Sequence, residues 1–152
     1  GFNFRIGMRL PANCTASGKA LLSSLPAERV VELAAARAFY PLTRKSVTRP
    51  AALLAQLRQA AAQGHAVDDE ETRHGMVCIG APIFSAASAA AVAAVAVSLP
   101  KSTLNAERRA TAIRTVTDLA RHISHRLGAR PADAPRDASP GRRQAPGKRA
   151  RV

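Results

Sequence analysis

"GMVCIGAPIFSAASAAAVAAVAVSLP", Gly75–Pro100, contains no charged residue. About 20 apolar residues suffice to cross a bilayer as a helix, so a membrane span is the first alternative for this stretch. Pro82 and the break Ser85-Ala86-Ala87-Ser88 argue against one long helix, because together they divide the run into two pieces of strand length. Met76-Val77-Cys78-Ile79 and Val92–Val97 are rich in residues that favour strands. The stretch therefore reads as an antiparallel hairpin, buried on one or both faces, with no membrane involved.

Beyond the hairpin, Asn105 is a good N-cap, and Ile113, Val116, Ala120, Ile123 and Leu127 follow at three-four spacing before Gly128. That predicts an amphipathic helix of about six turns. Arg108, Arg109, Arg114, Arg121 and Arg126 lie on its other face and read as solvated surface. Before the hairpin, Pro50 opens a helix with Leu53, Leu54 and Leu57 on one side and Gly64 as its stop. A short strand is expected at His65 to Asp68, then an acidic run, Asp68-Asp69-Glu70-Glu71. Nearer the start, Lys19–Ser24 reads as a short helix. A second begins at Pro26 and carries Val30, Val31 and Leu33 inward to about Ala38. Phe2, Phe4, Ile6, Met8 and Leu10 alternate with Asn3, Arg5, Gly7 and Arg9, as in a strand with one buried face. This alternation starts directly at Gly1, so the sequence reads as a piece of a longer chain.

The 152 residues suit one domain. Their formal charge of +13 suggests a nucleic-acid partner, but its distribution weakens that suggestion. Seven of the 23 Lys and Arg fall after Ala129, in Pro-, Ala- and Arg-rich sequence without an apolar period. Residues 129–152 are expected to be a disordered basic tail and residues 1–128 the domain; the tail reads first as solvated and second as a weak, nonspecific contact to phosphate. The two cysteines, Cys14 and Cys78, form neither a disulfide framework nor a zinc site. With no signal peptide at the start, a reducing cytoplasm is the expected compartment.

The turn "ANCTASGKALL", Ala12–Leu22, carries a Gly-Lys pair ahead of a helix. A nucleotide phosphate loop needs a glycine five residues before that Gly and a hydroxyl directly after the Lys. Asn13 and Ala20 stand there, so nucleotide hydrolysis is not expected. A polar turn into a helix remains, and its unpaired N–H groups suit an anion. Cys78 lacks a sequence-defined base, since His74 lies across a loop-to-strand boundary. His65, His122 and His125 form no metal pattern. The chain is therefore not expected to be an enzyme or to hold a metal or cofactor.

Taken together and in order, "RIGMRLPANCTASGKALLSSLP", "GHAVDDEETRHGMVCIGAPIF" and "VAVSLP" resemble the effector-binding domain of the isocitrate lyase regulator (IclR) family of bacterial transcription factors, from Arg5 to about Gly128. The resemblance implies an α+β, GAF-like fold, a twisted antiparallel sheet with helices packed on it, here N-terminally truncated and without the family's winged helix-turn-helix. It also implies a pocket for a small organic acid on one sheet face, lined at matching positions by Ser17, Gly18, Asp68, Cys78 and Ser98, with Met8 as an apolar wall. The expected partners are that acid, further copies of the chain in a homo-oligomer, and DNA through the absent domain or weakly through the tail. Two positions depart from the family pattern: Ser85–Ser88 lacks the usual acidic and glycine residues, and Ala96 stands where some members have a serine.

In such a pocket a carboxylate would accept from the Ser17 and Gly18 N–H groups. Asp68, itself acidic, is expected to read a hydroxyl or amine at the other end of the ligand. Asp69, Glu70 and Glu71 are expected to be a solvated acidic loop. The alternative function is an interaction module without a ligand, whose tail touches DNA nonspecifically.

Overall fold

The computed structural model describes residues 7–36 and 39–129. The charge-free run forms a hairpin, β2 (Met76–Ser85) and β3 (Ser88–Pro100). The preceding strand, β1 (Ala66–Asp69), completes an antiparallel sheet of order β1-β2-β3 among the described residues. Cys78 pairs with Asp68 on one side and Ser98 on the other. Pro82 does not break β2. The Glu70 N–H to Met76 O bond sets the alternation, so that even-numbered residues of β2 turn their backbone groups toward β1. Pro82 lies beyond Gly80, where the pairing with β1 ends, so no ladder bond is lost there. A bulge follows between Ile83 and Ser85, and the Phe84 N–H donates to Ser124 Oγ at 3.0 Å.

Helices cover both faces of the sheet. On one lies α4 (Ala106–Arg126), capped by Asn105, whose side chain accepts from the Arg108 N–H at 2.8 Å. Its Val116 and Ala120 pack on Ala81 and Ile83, with Val95, Val97 and Ile123 around them. Leu127, expected on the inner stripe, is exposed, because the helix ends at Arg126 and Gly128 turns the chain with φ +76°. On the opposite face lies α1 (Ala16–Leu22), with α3 (Pro50–Gln63) beside it. Ala20, Ala60 and Ala66 bury together there. Such small side chains let helices approach the sheet closely. Further out, α2 (Ala27–Ala35) brings Val30 against Leu22, Leu53 and Leu57 in a second core. As the sequence suggests, Pro50 begins α3 and Gly64 ends it with φ +70°.

Three expectations change. Helix α1 starts at Ala16 rather than Lys19, because Thr15 Oγ1 accepts the Gly18 N–H and caps the helix earlier. In α2, Val31 is exposed, with only Val30 fully buried. Gly7–Leu10 is not a strand: Gly7 sits in a turn with φ +84°, and Met8 and Arg9 are exposed. The rest of that alternation, residues 1–6, lies outside the described residues, as does the tail from Arg130 onward. Among the described residues no helix is long and apolar enough to cross a membrane.

Candidate functional site

The pairing register builds a row across the sheet. Asp68, Cys78 and Ser98 are aligned, and the side chains of register partners share a face. That face carries α1. Cys78 Sγ and Ser98 Oγ lie 3.1 Å apart in a hydrogen bond. Two residues along β2, Gly80 lies directly under the start of α1: a Cβ there would stand 2.9 Å from Ala16 C and 3.0 Å from Ser17 N. Glycine at this point lets the Ser17 amide come down beside the row.

Five of the six expected residues thus gather around the α1 face of the sheet, in different roles. Ser17 supplies a backbone N–H for which no acceptor is found among the described residues. The Gly18 N–H is spent on Thr15 Oγ1 at 3.0 Å, and Gly18 itself is packed against the Ala12 backbone rather than open to a ligand. With only seven residues, α1 offers an individual donor more than a helix dipole. Asp68 is 1% exposed, and its Oδ1 accepts the N–H groups of Glu71 at 2.7 Å and Thr72 at 3.1 Å, closing the turn after β1. Oδ2 takes part in neither bond, and the carboxylate stands near enough to Cys78 to raise its thiol. Ser98 is exposed and Cys78 half-buried. Met8 is 43% exposed, and nothing links it to the row.

The thiols are not set up as nucleophiles. Burial pushes the Cys78 thiol above its ordinary range; the Ser98 hydrogen bond pulls it down, and the Asp68 carboxylate pushes it up again. Burial likewise raises Cys14, whose Sγ donates to Tyr40 O at 3.2 Å. A thiol held protonated is a poor attacking group. What the row offers is hydroxyl, thiol, carboxylate and amide groups for polar recognition. Among the described residues no cluster of His, Cys, Asp and Glu is placed to hold a metal.

Residues 2–125 match the family model described as bacterial transcriptional regulator IclR, C-terminal. The chain belongs to the IclR family. It is 33% identical over 126 residues to the HTH-type transcriptional repressor AllR of Klebsiella pneumoniae, covering 83% of this chain and 46% of that protein. Among solved structures, the repressor BlcR of Agobacterium tumefaciens superimposes with TM-score 0.75 at 40% identity, over 82% of this chain and 51% of that one. The C-terminal domain of the Escherichia coli regulator KdgR gives TM-score 0.74 at 31% identity, over 81% of this chain and 74% of that one. The chain thus spans about half the length of the curated relatives it matches. Its part in an IclR regulator is the effector-binding domain, and these relatives are regulators rather than enzymes.

Two features of this IclR domain escape the sequence reading. Lys19 is 2% exposed, and its Nζ donates to Glu71 Oε1 at 2.5 Å and Gln56 Oε1 at 3.0 Å. Glu71, expected in a solvated loop, is 5% exposed. Burial raises its carboxyl above the ordinary range; Lys19 pulls it down, Asp68 pushes it up, and the Val47 amide, short of a formed hydrogen bond, lowers it slightly. Glu71 Oε2 has no hydrogen-bond partner among the described residues.

The second feature is Glu70. It adopts φ +62°, unusual for a side-chain-bearing residue, and is held there by Lys45, by Lys101 at 2.9 Å and by the Gly75 N–H at 2.8 Å. Lys101 and Lys45 pull its carboxyl down to about 2 from an ordinary 4.5. A depressed carboxyl stabilises the fold fully above its unfolded value and loses that contribution as pH falls through its folded value. In urea melts, wild type is therefore expected to exceed Glu70→Gln in stability above pH 4.5, the gap closing as pH falls toward 2. A gap independent of pH across that window would show that the ion pairs do not hold the turn.

Proposed function

We propose that this chain senses a small organic acid for a bacterial transcription regulator. The acid lies on the α1 face of the sheet, its carboxylate accepting from the Ser17 N–H and the Ser98 hydroxyl. Asp68 and Cys78 meet its other end. The observation that supports this most is the aligned row Asp68, Cys78 and Ser98, with Gly80 opening the space that brings the Ser17 amide alongside. A solved neighbour, a double mutant of the inducer-binding domain of PobR from Acinetobacter, holds 3-hydroxybenzoic acid; at 23% identity it speaks for the fold alone. In the complete regulator, the acid would act through different affinity for two arrangements of the DNA-binding portion.

Thermal-shift titration with hydroxy- and keto-acids tests the proposal. An acid at about 100 times its Kd should stabilise the protein by about 2.7 kcal/mol. Ser98→Ala, at an exposed position, should keep the fold and weaken that acid by roughly tenfold, the loss of one hydrogen bond to a charged group. If no acid stabilises the chain, alone or within the complete regulator, or if Ser98→Ala and Cys78→Val bind as wild type does, the site lies elsewhere.

A further inference from the structure

The outer edge of β1 borders a cavity of about 480 Å³ between α3 and α4, within the usual range for small ligands. It is separate from the row on the α1 face. The bond from Glu70 N–H to Met76 O fixes which backbone groups point where: those of Ala66, Asp68 and Glu70 turn to β2, and those of Val67 and Asp69 turn outward. Val67 and Asp69 line this cavity. It is thus walled on one side by a strand edge that has no partner strand among the described residues, a donor and an acceptor a fixed distance apart. Gln59 and Gln63 of α3 and Arg109 of α4 line it as well. Among the described residues the Arg109 side chain is in no hydrogen bond or ion pair; the side-chain bonds at this end of α4 belong to its neighbour Arg108. Lys19 and Glu71, deeper in the wall, pair through Glu71 Oε1, and Glu71 Oε2 has no hydrogen-bond partner among the described residues.

We infer that this cavity is a second ligand site, which takes a short peptide. Its chemistry selects against a plain acid. A carboxylate could use Arg109 and the Val67 N–H, but its oxygens would face the Val67 C=O, acceptor against acceptor. A peptide unit offers both a donor and an acceptor, and pairs with Val67 as a neighbouring strand would. Its terminal carboxylate then meets Arg109; the Asp69 carboxylate is already paired with Lys101 Nζ at 2.6 Å, so the rest of the peptide is met by the backbone edge at Val67 and Asp69. Gln59 and Gln63, each both donor and acceptor, accommodate either orientation of the amide between them.

The test is a 1H–15N titration of the whole 152-residue chain with glycylglycine, alongside acetate and N-methylacetamide. Glycylglycine should shift the Val67 and Asp69 amides, the Gln59 and Gln63 side-chain amides and the Arg109 Nε–H, leaving the amides of Cys78 and Ser98 unmoved. Arg109→Gln, at a partly exposed position, should weaken it by roughly tenfold, and Gln59→Ala provides an independent variant on the other wall that should weaken it too. Silence at these resonances would overturn the proposal. So would acetate moving the same set with equal affinity, which would mark a plain anion patch, or both variants binding as wild type does. Shifts confined to Cys78 and Ser98 would likewise overturn it while supporting the acid site on the other face.

Discussion

Lys19→Met is expected to destabilise the domain by about 3–5 kcal/mol in equilibrium unfolding, the cost of stranding one member of a buried ion pair. Lys19 is 2% exposed and bonds Glu71 Oε1 at 2.5 Å, while Glu71 Oε2 has no hydrogen-bond partner among the described residues. Without the ammonium, Glu71 keeps the burial and the Asp68 charge that already raise its carboxyl, and loses what opposes them most. It must then ionise uncompensated or take up a proton. Because a carboxyl raised on folding favours the protonated form, stability falls as pH rises above the unfolded value. The penalty of Lys19→Met should therefore be smaller in the acid range than at neutral pH. Lys19→Met/Glu71→Leu should recover most of the loss, since a buried pair replaced by apolar groups of similar volume is often neutral. A single variant costing under about 1 kcal/mol would mean that water reaches the pair.

That pair also shows where the sequence stops being informative. Lys19 and Glu71 stand 52 residues apart, and each has an innocent local reading, a helix start and an acidic loop. Only the fold brings them together. The hairpin is different, because everything needed is local: a charge-free run, β-forming residues and a polar break at Ser85–Ser88. Equally local are the Asn105 cap and the Pro50 and Gly64 boundaries, so those helices are found nearly to the residue. Asp68 falls between the two cases. Its place beside Cys78 follows from the family resemblance, while its bond to the backbone N–H groups three and four residues ahead is a habit of Asp in turns that the run Asp68–Thr72 could have signalled. The need for Gly80 under α1 has no local signal at all, since the clash it avoids is with residues 16 and 17.

Gly18→Ala should be the most damaging conservative change in the turn, at about 3 kcal/mol, the upper part of the range for overpacking. A Cβ at this position would stand 2.4 Å from Ala12 Cα, 2.5 Å from Ala12 O and 2.6 Å from Thr15 Oγ1. The first two are backbone atoms and cannot swing aside, so the start of α1 must move. That movement also pulls the Gly18 N–H from Thr15 Oγ1, a cap worth about 1 kcal/mol. Gly64→Ala is the control. It has open space around the new Cβ, and its cost comes only from φ +70°, about 1–2 kcal/mol. Thr15→Ala/Gly18→Ala separates the two contributions: removing the hydroxyl relieves one contact and leaves both clashes with Ala12. Urea melts should show the double variant no more stable than Gly18→Ala alone. Recovery to near wild type would put the strain in the hydroxyl contact, and the close approach of α1 to the Ala12 backbone would no longer be what requires glycine at this position.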